Sequence, residues 1–253
     1  MRKMSKEEIE LMRKAGSIVG DLLSLMRDSV RVGITTKELD DIAREFILSQ
    51  GATPSFLNYD GFPASICASV NSVVVHGIPN DYALQEGDIV GIDVGACYKG
   101  YHGDAARTFI VGEASAKVKK LVEETKRCFF KGIEGLKAGD RIGKISNAVQ
   151  ENALKHNYGI VKELVGHGVG RRLHEDPNIP NYGSKDSGPV IVKDCTLAVE
   201  PMINLGTSHV RLLSDGWTVV TADGKPSAHY ENTILVTEDG VEILTLMKGE
   251  TTL

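Results

Sequence analysis

The chain reads Gly91-Ile92-Asp93-Val94-Gly95 and then, after Tyr98-Lys99-Gly100, continues as Gly103-Asp104-Ala105-Ala106. Both runs are apolar and strand-like, and the residues between them carry a turn signal. A hairpin would bring both aspartates to one face of a sheet, because side chains alternate along a strand. An unpaired charge in such an apolar strand is costly, so each carboxylate needs a partner.

The same local pattern returns later in the chain with glutamates. Val199-Glu200-Pro201 repeats the pattern of Ile92-Asp93-Val94, and His229-Tyr230-Glu231 repeats that of His102-Gly103-Asp104. Gly166-His167-Gly168 lies between the pair of aspartates and the pair of glutamates. Two aspartates, two glutamates and one histidine offer four hard oxygen donors and an imidazole, which is what a two-metal hydrolase needs.

Each of these residues, taken alone, also has an ordinary structural explanation. Asp93 could cap a turn, Asp104 could pair with Arg107, and His167 could be a hydrogen-bonded core histidine. Taken together, the acids would repel one another unless cations lay between them. The set of residues therefore predicts a metal site.

The pattern of helices and strands occurs twice along the chain. Capping boxes at Ser5–Glu8 and Thr35–Glu38 begin two helices, the second of which should stop at Gly51, and strands follow from about Cys67 to Val111. Helical spacing returns from Val118, a second short helix should end near Gly159, and strands follow again. The last strands should form a hairpin with the turn Glu238-Asp239-Gly240.

This repeat predicts an α+β fold with pseudo-twofold symmetry, an antiparallel sheet inside and helices on one side. We expect a single catalytic domain over residues 1–253, with halves at about 1–112 and 113–253. Each half would supply one pair of acids to a shared central site.

Composition limits the classes of function. The net charge of −5 and the pI of about 5.8 give no electrostatic basis for general nucleic-acid binding. The charged N-terminus lacks the apolar core of a signal peptide, and no apolar run approaches the roughly 20 residues of a membrane span. Four scattered cysteines favour buried free thiols in a reducing compartment. We therefore expect a cytoplasmic protein, and no sequence feature requires more than a monomer.

Six motifs, in order and with natural spacing, are similar to those of the methionine aminopeptidases, and the resemblance covers essentially the whole chain. They are Val75-His76-Gly77-Ile78-Pro79, Gly91-Ile92-Asp93-Val94-Gly95, His102-Gly103-Asp104, Gly166-His167-Gly168-Val169-Gly170, His174-Glu175-Asp176-Pro177 and Val199-Glu200-Pro201-Met202. The chain resembles the short bacterial type I form, since it has no long N-terminal extension and no helical insertion. The resemblance implies the pseudo-symmetric "pita-bread" (creatinase/aminopeptidase) fold and the removal of initiator methionine from deformylated nascent chains with a small second residue.

The resemblance also implies roles for individual residues. Two divalent ions (Co, Mn, Fe(II) or Zn) would be held by Asp93, Asp104, His167, Glu200 and Glu231. Asp104 and Glu231 would bridge the ions, and Glu200 would act as general base on a bridging water. His76 would contact the amine side of the substrate and assist proton movement, and His174 would stabilise the oxyanion. The methionine pocket would consist of Phe56, Tyr59, Phe62, Cys67 and Trp217, which suit a thioether side chain.

Other interpretations remain open from the sequence alone. The pocket residues could be ordinary core residues, and two departures from the family pattern, Phe62 and Arg172-Leu173, leave the shape of the pocket mouth undetermined. A proline-type peptidase of the same fold would share the five ligands, but such enzymes generally carry a large N-terminal domain. A non-catalytic relative that binds the ribosome or RNA would typically lack ligands. The basic run from Lys117 to Lys131 is typical of a solvated helix face, and ribosome docking is undecided.

Overall fold

The computed structural model describes residues 1–250, which form four α-helices and fifteen β-strands. The helices are α1 (Lys6–Ser29), α2 (Thr36–Ser49), α3 (Ala116–Ile133) and α4 (Ile142–Leu154). The strands that precede α3 are β1 (Thr53–Pro54), β2 (Ile66–Val70), β3 (Val73–Val75), β4 (Ile89–Tyr98) and β5 (Tyr101–Ile110). Those that follow α4 are β6 (Gly159–Ile160), β7 (Gly166–Gly168), β8 (Glu175–Ile179), β9 (Cys195–Val199), β10 (Met202–Asn204), β11 (Val210–Leu212), β12 (Val219–Thr221), β13 (Ser227–His229), β14 (Asn232–Val236) and β15 (Val241–Ile243). The order helix–helix–strands therefore occurs twice, as the sequence predicts.

The helix starts follow the capping boxes. Ser5 accepts a hydrogen bond from the backbone of Glu8, whose carboxylate accepts one from the backbone of Ser5, and the pair at Thr35 and Glu38 begins α2 in the same way. These reciprocal bonds satisfy backbone N–H groups that a helix start leaves free.

The helix ends agree with the prediction in one case and differ in the other. Gly51, with φ of 67°, follows the end of α2 as expected. The prediction that the fourth helix ends near Gly159 was wrong, because α4 ends at Leu154. Asn157 has φ of 58° in the turn that follows, which is the left-handed conformation that often ends a helix.

The predicted hairpin is formed by β4 and β5. Tyr98 pairs with Tyr101, and Lys99 and Gly100 form a two-residue turn with φ of 48° and 80°. Asp104 lies opposite Gly95, which is two residues from Asp93 on the same strand. Both aspartates therefore lie on one face of the hairpin.

The strands of the described residues form four antiparallel sheets. Their strand orders are β1-β4-β2 with β5 beside β4, β13-β10-β6, β11-β12-β3, and β15-β14-β9-β7-β8. Pairing of β3 with β12 joins the first set of strands to the second. The closing hairpin of β14 and β15 is present as predicted, with Val236 opposite Val241.

The helices cover these sheets with apolar faces. Helix α1 packs on β4 and β5, and α3 packs on α4, β10 and β13. Leu22 and Ile92 belong to one fully buried cluster, and Phe129 and Leu197 belong to another. Burial of each such side chain stabilises the fold by about 1.5–3 kcal/mol. None of the helices within residues 1–250 combines the length and the hydropathy needed to cross a membrane.

A buried ion pair anchors the C-terminal segment to the hairpin. The side chains of Arg107 and Glu250 are 3% and 4% exposed, and Arg107 Nη2 lies 2.7 Å from Glu250 Oε2. Arg107 also donates to the backbone carbonyl of Glu231 at 2.6 Å and to the side chain of Asn232 at 2.8 Å. Arg107 therefore pairs with Glu250 rather than with Asp104, and it holds the segment that carries Glu231.

We expect Glu250→Gln to lower the free energy of unfolding by about 3 kcal/mol, because it leaves the buried Arg107 charge without a counter-ion. Burial alone would raise the pKa of Glu250, but the Arg107 charge and the hydrogen bonds outweigh it and lower that pKa. The contribution of the pair is therefore complete above the unfolded pKa of about 4.3 and is lost as pH falls. Urea unfolding at pH 7 and pH 4 measures both effects.

Glu242→Gln is the matched control for this substitution. Glu242 pairs with Arg13 at 2.7 Å, but both side chains are 41% exposed. Its replacement should cost less than about 1 kcal/mol, since solvent screens exposed pairs. Equal losses in the two variants would contradict a special role for the buried pair.

Candidate active site

One cavity of about 340 Å³ is lined by every side chain that the sequence analysis selected for the site. It is lined by the candidate ligands, by both candidate catalytic histidines and by the candidate pocket residues: Asp93, Asp104, His167, Glu200, Glu231, His76, His174, Phe56, Tyr59, Phe62, Cys67 and Trp217. The carboxylates lie with His167 at one part of the wall and the aromatic residues at another. The structure thus brings the predicted residues together, while their individual roles remain predictions.

The two halves of the chain meet at the carboxylates. The backbone of Ala106 in β5 exchanges hydrogen bonds with that of Glu231, at 3.0 and 3.3 Å. The Thr233 hydroxyl accepts from the backbone N–H of Asp104 and donates to its carbonyl, at 3.0 and 2.9 Å. These contacts fix Asp104 and Glu231 beside each other through their backbones, which leaves the carboxylates to face the cavity.

His167 reaches the same place from β7, where neighbouring strands approach closely. A Cβ atom on Gly166 would lie 2.4 Å from the Ala198 carbonyl oxygen, and one on Gly168 would lie 2.4 Å from the Asp176 carbonyl oxygen. The glycines beside His167 are therefore required by packing. His167 Nδ1 donates to the Gly168 carbonyl at 2.9 Å, and this bond leaves the lone pair of Nε2 free.

The donor atoms are spaced as ligands rather than as hydrogen-bonding pairs. His167 Nε2 lies 3.7 Å from Asp104 Oδ2 and 3.6 Å from Glu200 Oε1, beyond hydrogen-bond distance. Asp104, His167 and Glu231 offer ligand atoms that lie within 4.8 Å of one another, and so do Asp93, His229 and Glu231. Glu231 belongs to both groups, which is what a bridging ligand would require.

Burial and mutual repulsion shift the pKa values of these acids away from their usual range. Burial raises the pKa of Asp93 to about 7. Burial, with repulsion by neighbouring carboxylates, raises the pKa values of Asp104, Glu200 and Glu231 well above their usual range. Burial also lowers the pKa of His167 to about 4, so its imidazole is neutral at pH 7.

The carboxylate set fits divalent cations. Asp93 Oδ1, Asp104 Oδ1 and Glu231 Oε1 are buried and have no hydrogen-bond partner within the described part of the chain. Such oxygens are normally satisfied. Cations would satisfy them and would remove the repulsion between the carboxylates, and a neutral imidazole is a suitable additional donor.

The apolar part of the cavity is built by the candidate pocket residues. Phe62 and Trp217 pack edge to face, with ring centroids 5.2 Å apart. Cys67 lies opposite Asp93 across β2 and β4, and its thiol stays protonated because burial raises its pKa well above the usual value. Aromatic rings and a neutral thiol form a surface that suits an unbranched apolar side chain.

The two candidate catalytic histidines lie on different parts of the cavity wall. His76 has φ of 58°, an uncommon conformation for a residue with a side chain, and its ring lies 6.4 Å from that of Trp217. His174 is exposed, with its ring 4.3 Å from that of His167 and its Nδ1 2.8 Å from the Tyr59 hydroxyl. Burial lowers the pKa of His76, and partial desolvation of the ring lowers that of His174 although the residue is exposed, so both favour the neutral imidazole.

The structure also adds residues that the sequence analysis did not select. Leu164, Val165, Leu173 and Met202 line the cavity, and these apolar residues carry no sequence signal that separates them from the core. His229 brings its Nε2 within 3.6 Å of Glu231 Oε2 and 3.9 Å of Glu200 Oε2. Its position two residues before Glu231 was the available signal, because residues at that spacing share a face in extended chain.

Comparison with known proteins places these features in one family. The model of metallopeptidase family M24 matches residues 10–238. A methionine aminopeptidase of Clostridium perfringens is 53% identical over 96% of this chain and 98% of its own. The crystal structure of methionine aminopeptidase from Rickettsia prowazekii matches with a TM-score of 0.95 and 44% identity, over 97% of this chain and 100% of that one.

A more distant match concerns the alternative of a proline-type peptidase with the same fold. Prolidase from Pyrococcus furiosus matches with a TM-score of 0.80 and 25% identity, over 98% of this chain but 66% of that one. The shared architecture confirms the predicted pita-bread fold, and the full-length matches confirm the resemblance on which the sequence analysis relied. The chain belongs to metallopeptidase family M24 and, within it, to the methionine aminopeptidases.

Proposed function

We propose that this chain removes N-terminal methionine from deformylated nascent polypeptides with a small second residue, as a hydrolase that uses two divalent metal ions. The observation that carries the proposal is the joining of a carboxylate cluster and a thioether-compatible pocket in one cavity of about 340 Å³. That volume is at the small end of ligand pockets, which suits one terminal residue. We further propose one catalytic domain with two halves, acting in the cytoplasm as a monomer.

Five residues would hold the metals: Asp93, Asp104, His167, Glu200 and Glu231. Asp104 and Glu231 would bridge: Glu231 belongs to both groups of ligand atoms, and Asp104 Oδ2 lies 3.7 Å from His167 Nε2 in one of them. When bound, two ions would polarise the scissile carbonyl and lower the pKa of an attacking water. Co, Mn, Fe(II) and Zn all suit these ligands, and the donor set does not select one of them.

The remaining steps concern proton movement and charge. Glu200, whose carboxylate lines the cavity 3.6 Å from His167 Nε2, would accept a proton from the attacking water. A neutral His76 can exchange a proton with the amine side of the substrate. A neutral His174 can donate a hydrogen bond to the developing oxyanion, which a carboxylate in its place would repel.

Two alternatives are weaker on specific grounds. Prolidase from Pyrococcus furiosus is 25% identical to this chain, whereas the methionine aminopeptidase of Clostridium perfringens is 53% identical over 98% of its own length. A non-catalytic ribosome- or RNA-binding relative would not need buried acids without hydrogen-bond partners. The basic residues of α3 are partly neutralised, because Arg127 pairs with Glu123 and Glu124, and Lys126 with Glu250.

Substrate preference tests the proposal. We expect Met-Ala-Ser to be hydrolysed with a kcat/KM on the order of 100-fold or more above that of Val-Ala-Ser, because a β-branched side chain fits the narrow pocket poorly. Formyl-Met-Ala-Ser should not be cleaved, since a formylated nitrogen brings neither charge nor free lone pair to the carboxylates. Steady-state rates after chelation and metal add-back give both results.

A substrate with proline as its second residue tests the alternative of a proline-type peptidase. Comparable kcat/KM values for Met-Ala-Ser and Leu-Pro would identify a proline-type peptidase instead. Hydrolysis that persists in a chelated sample free of metal would exclude the metal-dependent mechanism altogether.

A further inference from the structure

His229 occupies the carboxylate cluster without a role among the five candidate ligands. The side chain is 3% exposed, and its Nε2 is buried with no hydrogen-bond partner among the described residues. Its backbone is fixed on β13, where its N–H donates to the Thr108 hydroxyl and its carbonyl accepts from that hydroxyl, both at 2.9 Å. The imidazole is therefore held in place with its Nε2 unsatisfied.

The surroundings of His229 match those of His167. Each Nε2 has two carboxylate oxygens at 3.6–3.9 Å: Asp104 and Glu200 for His167, Glu231 and Glu200 for His229. Two donors that each lie about 2.1 Å from one ion are about 3.0–4.2 Å apart, depending on the angle between them. These spacings are too long for hydrogen bonds but fit donors that share a cation.

The position of His229 indicates which ion it would bind. A ring nitrogen of His229, an Asp93 oxygen and a Glu231 oxygen lie within 4.8 Å of one another, as do the ligand atoms of Asp104, His167 and Glu231, and His229 Nε2 is 3.6 Å from Glu231 Oε2. Among the five candidate ligands, only His167 supplies an imidazole, so the ion beside Asp93 would otherwise have oxygen donors alone.

We propose that His229 is a sixth metal ligand, whose Nε2 binds the ion held by Asp93 and Glu231, so that each ion has one imidazole. This inference rests on the two-metal function proposed above and deepens it. An imidazole in this position favours ions such as Co²⁺ and Zn²⁺ over Mn²⁺, because nitrogen donors suit them better than an all-oxygen set does.

The number of metal-bound imidazoles tests this assignment directly. In protein loaded with two Co²⁺ per chain, proton NMR should show two exchangeable imidazole N–H signals shifted by the paramagnetic ion. His229→Gln and His167→Gln should each remove one signal. His102→Gln is the matched control and should remove none, since the Nδ1 of His102 lies 2.9 Å from the Ser55 hydroxyl and outside the ligand groups.

Calorimetric titration gives a second readout that does not depend on activity. In other metalloproteins, loss of a residue that only supports a metal ligand weakens metal binding by roughly 10–100-fold. Loss of a ligand itself should have at least as large an effect, so His229→Gln should weaken the binding of one Co²⁺ by at least that factor. The same substitution should weaken Mn²⁺ binding much less. A glutamine that left both Co²⁺ affinities unchanged would overturn the assignment.

The wild-type spectrum keeps the inference testable even where a variant fails to fold. One shifted imidazole signal at two Co²⁺ per chain would exclude His229 as a ligand and leave the proposed function intact. Failure of the wild-type protein to bind Co²⁺ at all would overturn both proposals.

Discussion

Glu231→Gln is expected to lower kcat/KM for a methionyl peptide by at least about 1,000-fold, the upper scale for loss of one preorganised electrostatic group. Glu231 belongs to both groups of candidate ligand atoms, so one substitution would weaken both ion positions. Glutamine keeps the shape but replaces a charged oxygen with an N–H₂ group that cannot bind a cation. Metal content by elemental analysis and steady-state rates on the same preparation measure the effect.

The fold of this variant should survive. The backbone of Glu231 is held by Ala106 and by Arg107, and neither contact uses the carboxylate. Removal of one buried acid also lowers the repulsion among the others. Glu242→Gln serves as the control, since Glu242 lies on β15 away from the cavity and should keep full activity and metal content. Normal turnover by Glu231→Gln with two bound ions would refute the bridging role.

The pH dependence of metal-free stability follows from the same acids. Burial raises the pKa of Asp93 to about 7, and burial with repulsion by neighbouring carboxylates raises those of Asp104 and Glu231 well above their usual range. Unfolded carboxyls titrate near about 4, so the folded state binds more protons between these values and stability falls as pH rises through this range. The melting temperature of chelated protein should be lower at pH 7 than at pH 5, and Glu231→Gln should reduce that difference.

The sequence predicts the parts of this site that depend on local pattern. The period of two places Asp93 and Asp104 on one face once the Lys99-Gly100 turn is recognised, and the register confirms this. Capping boxes at Ser5 and Thr35 need only neighbouring residues, so these helix starts were predictable. The repeat of helices and strands indicated the fold class for the same reason.

Features that depend on contacts between residues far apart in the sequence could not be predicted from local patterns. Arg107 pairs with Glu250, which is 143 residues away, whereas the sequence suggested the neighbouring Asp104. The left-handed conformation of His76, with φ of 58°, is not predictable from its residue type. The bonds between His229 and Thr108, which join β13 to β5, are likewise contacts between distant residues, although the spacing of two residues between His229 and Glu231 was an available signal.

His174→Ala separates catalysis from metal binding, and we expect it to lower kcat on the order of 100-fold. The ring of His174 lies 4.3 Å from that of His167, so it borders the ligands, but it belongs to neither group of candidate ligand atoms. Loss of an oxyanion donor lowers kcat without removing a metal ligand. The bound metal and the melting temperature should therefore remain close to those of the wild type.

Tyr59 provides the graded comparison for this prediction. Burial raises the pKa of Tyr59, so its hydroxyl remains protonated and can donate to Nδ1 of His174 at 2.8 Å. In the tautomer in which Nδ1 accepts this bond, the ring proton lies on Nε2, where it can reach an oxyanion. Tyr59→Phe should therefore lower kcat by a smaller factor than His174→Ala. A fall in metal stoichiometry in His174→Ala would make this residue a ligand, and unchanged kcat with both ions bound would make it structural. Because the three roles differ in which quantity changes, metal content and kcat together assign one of them to His174.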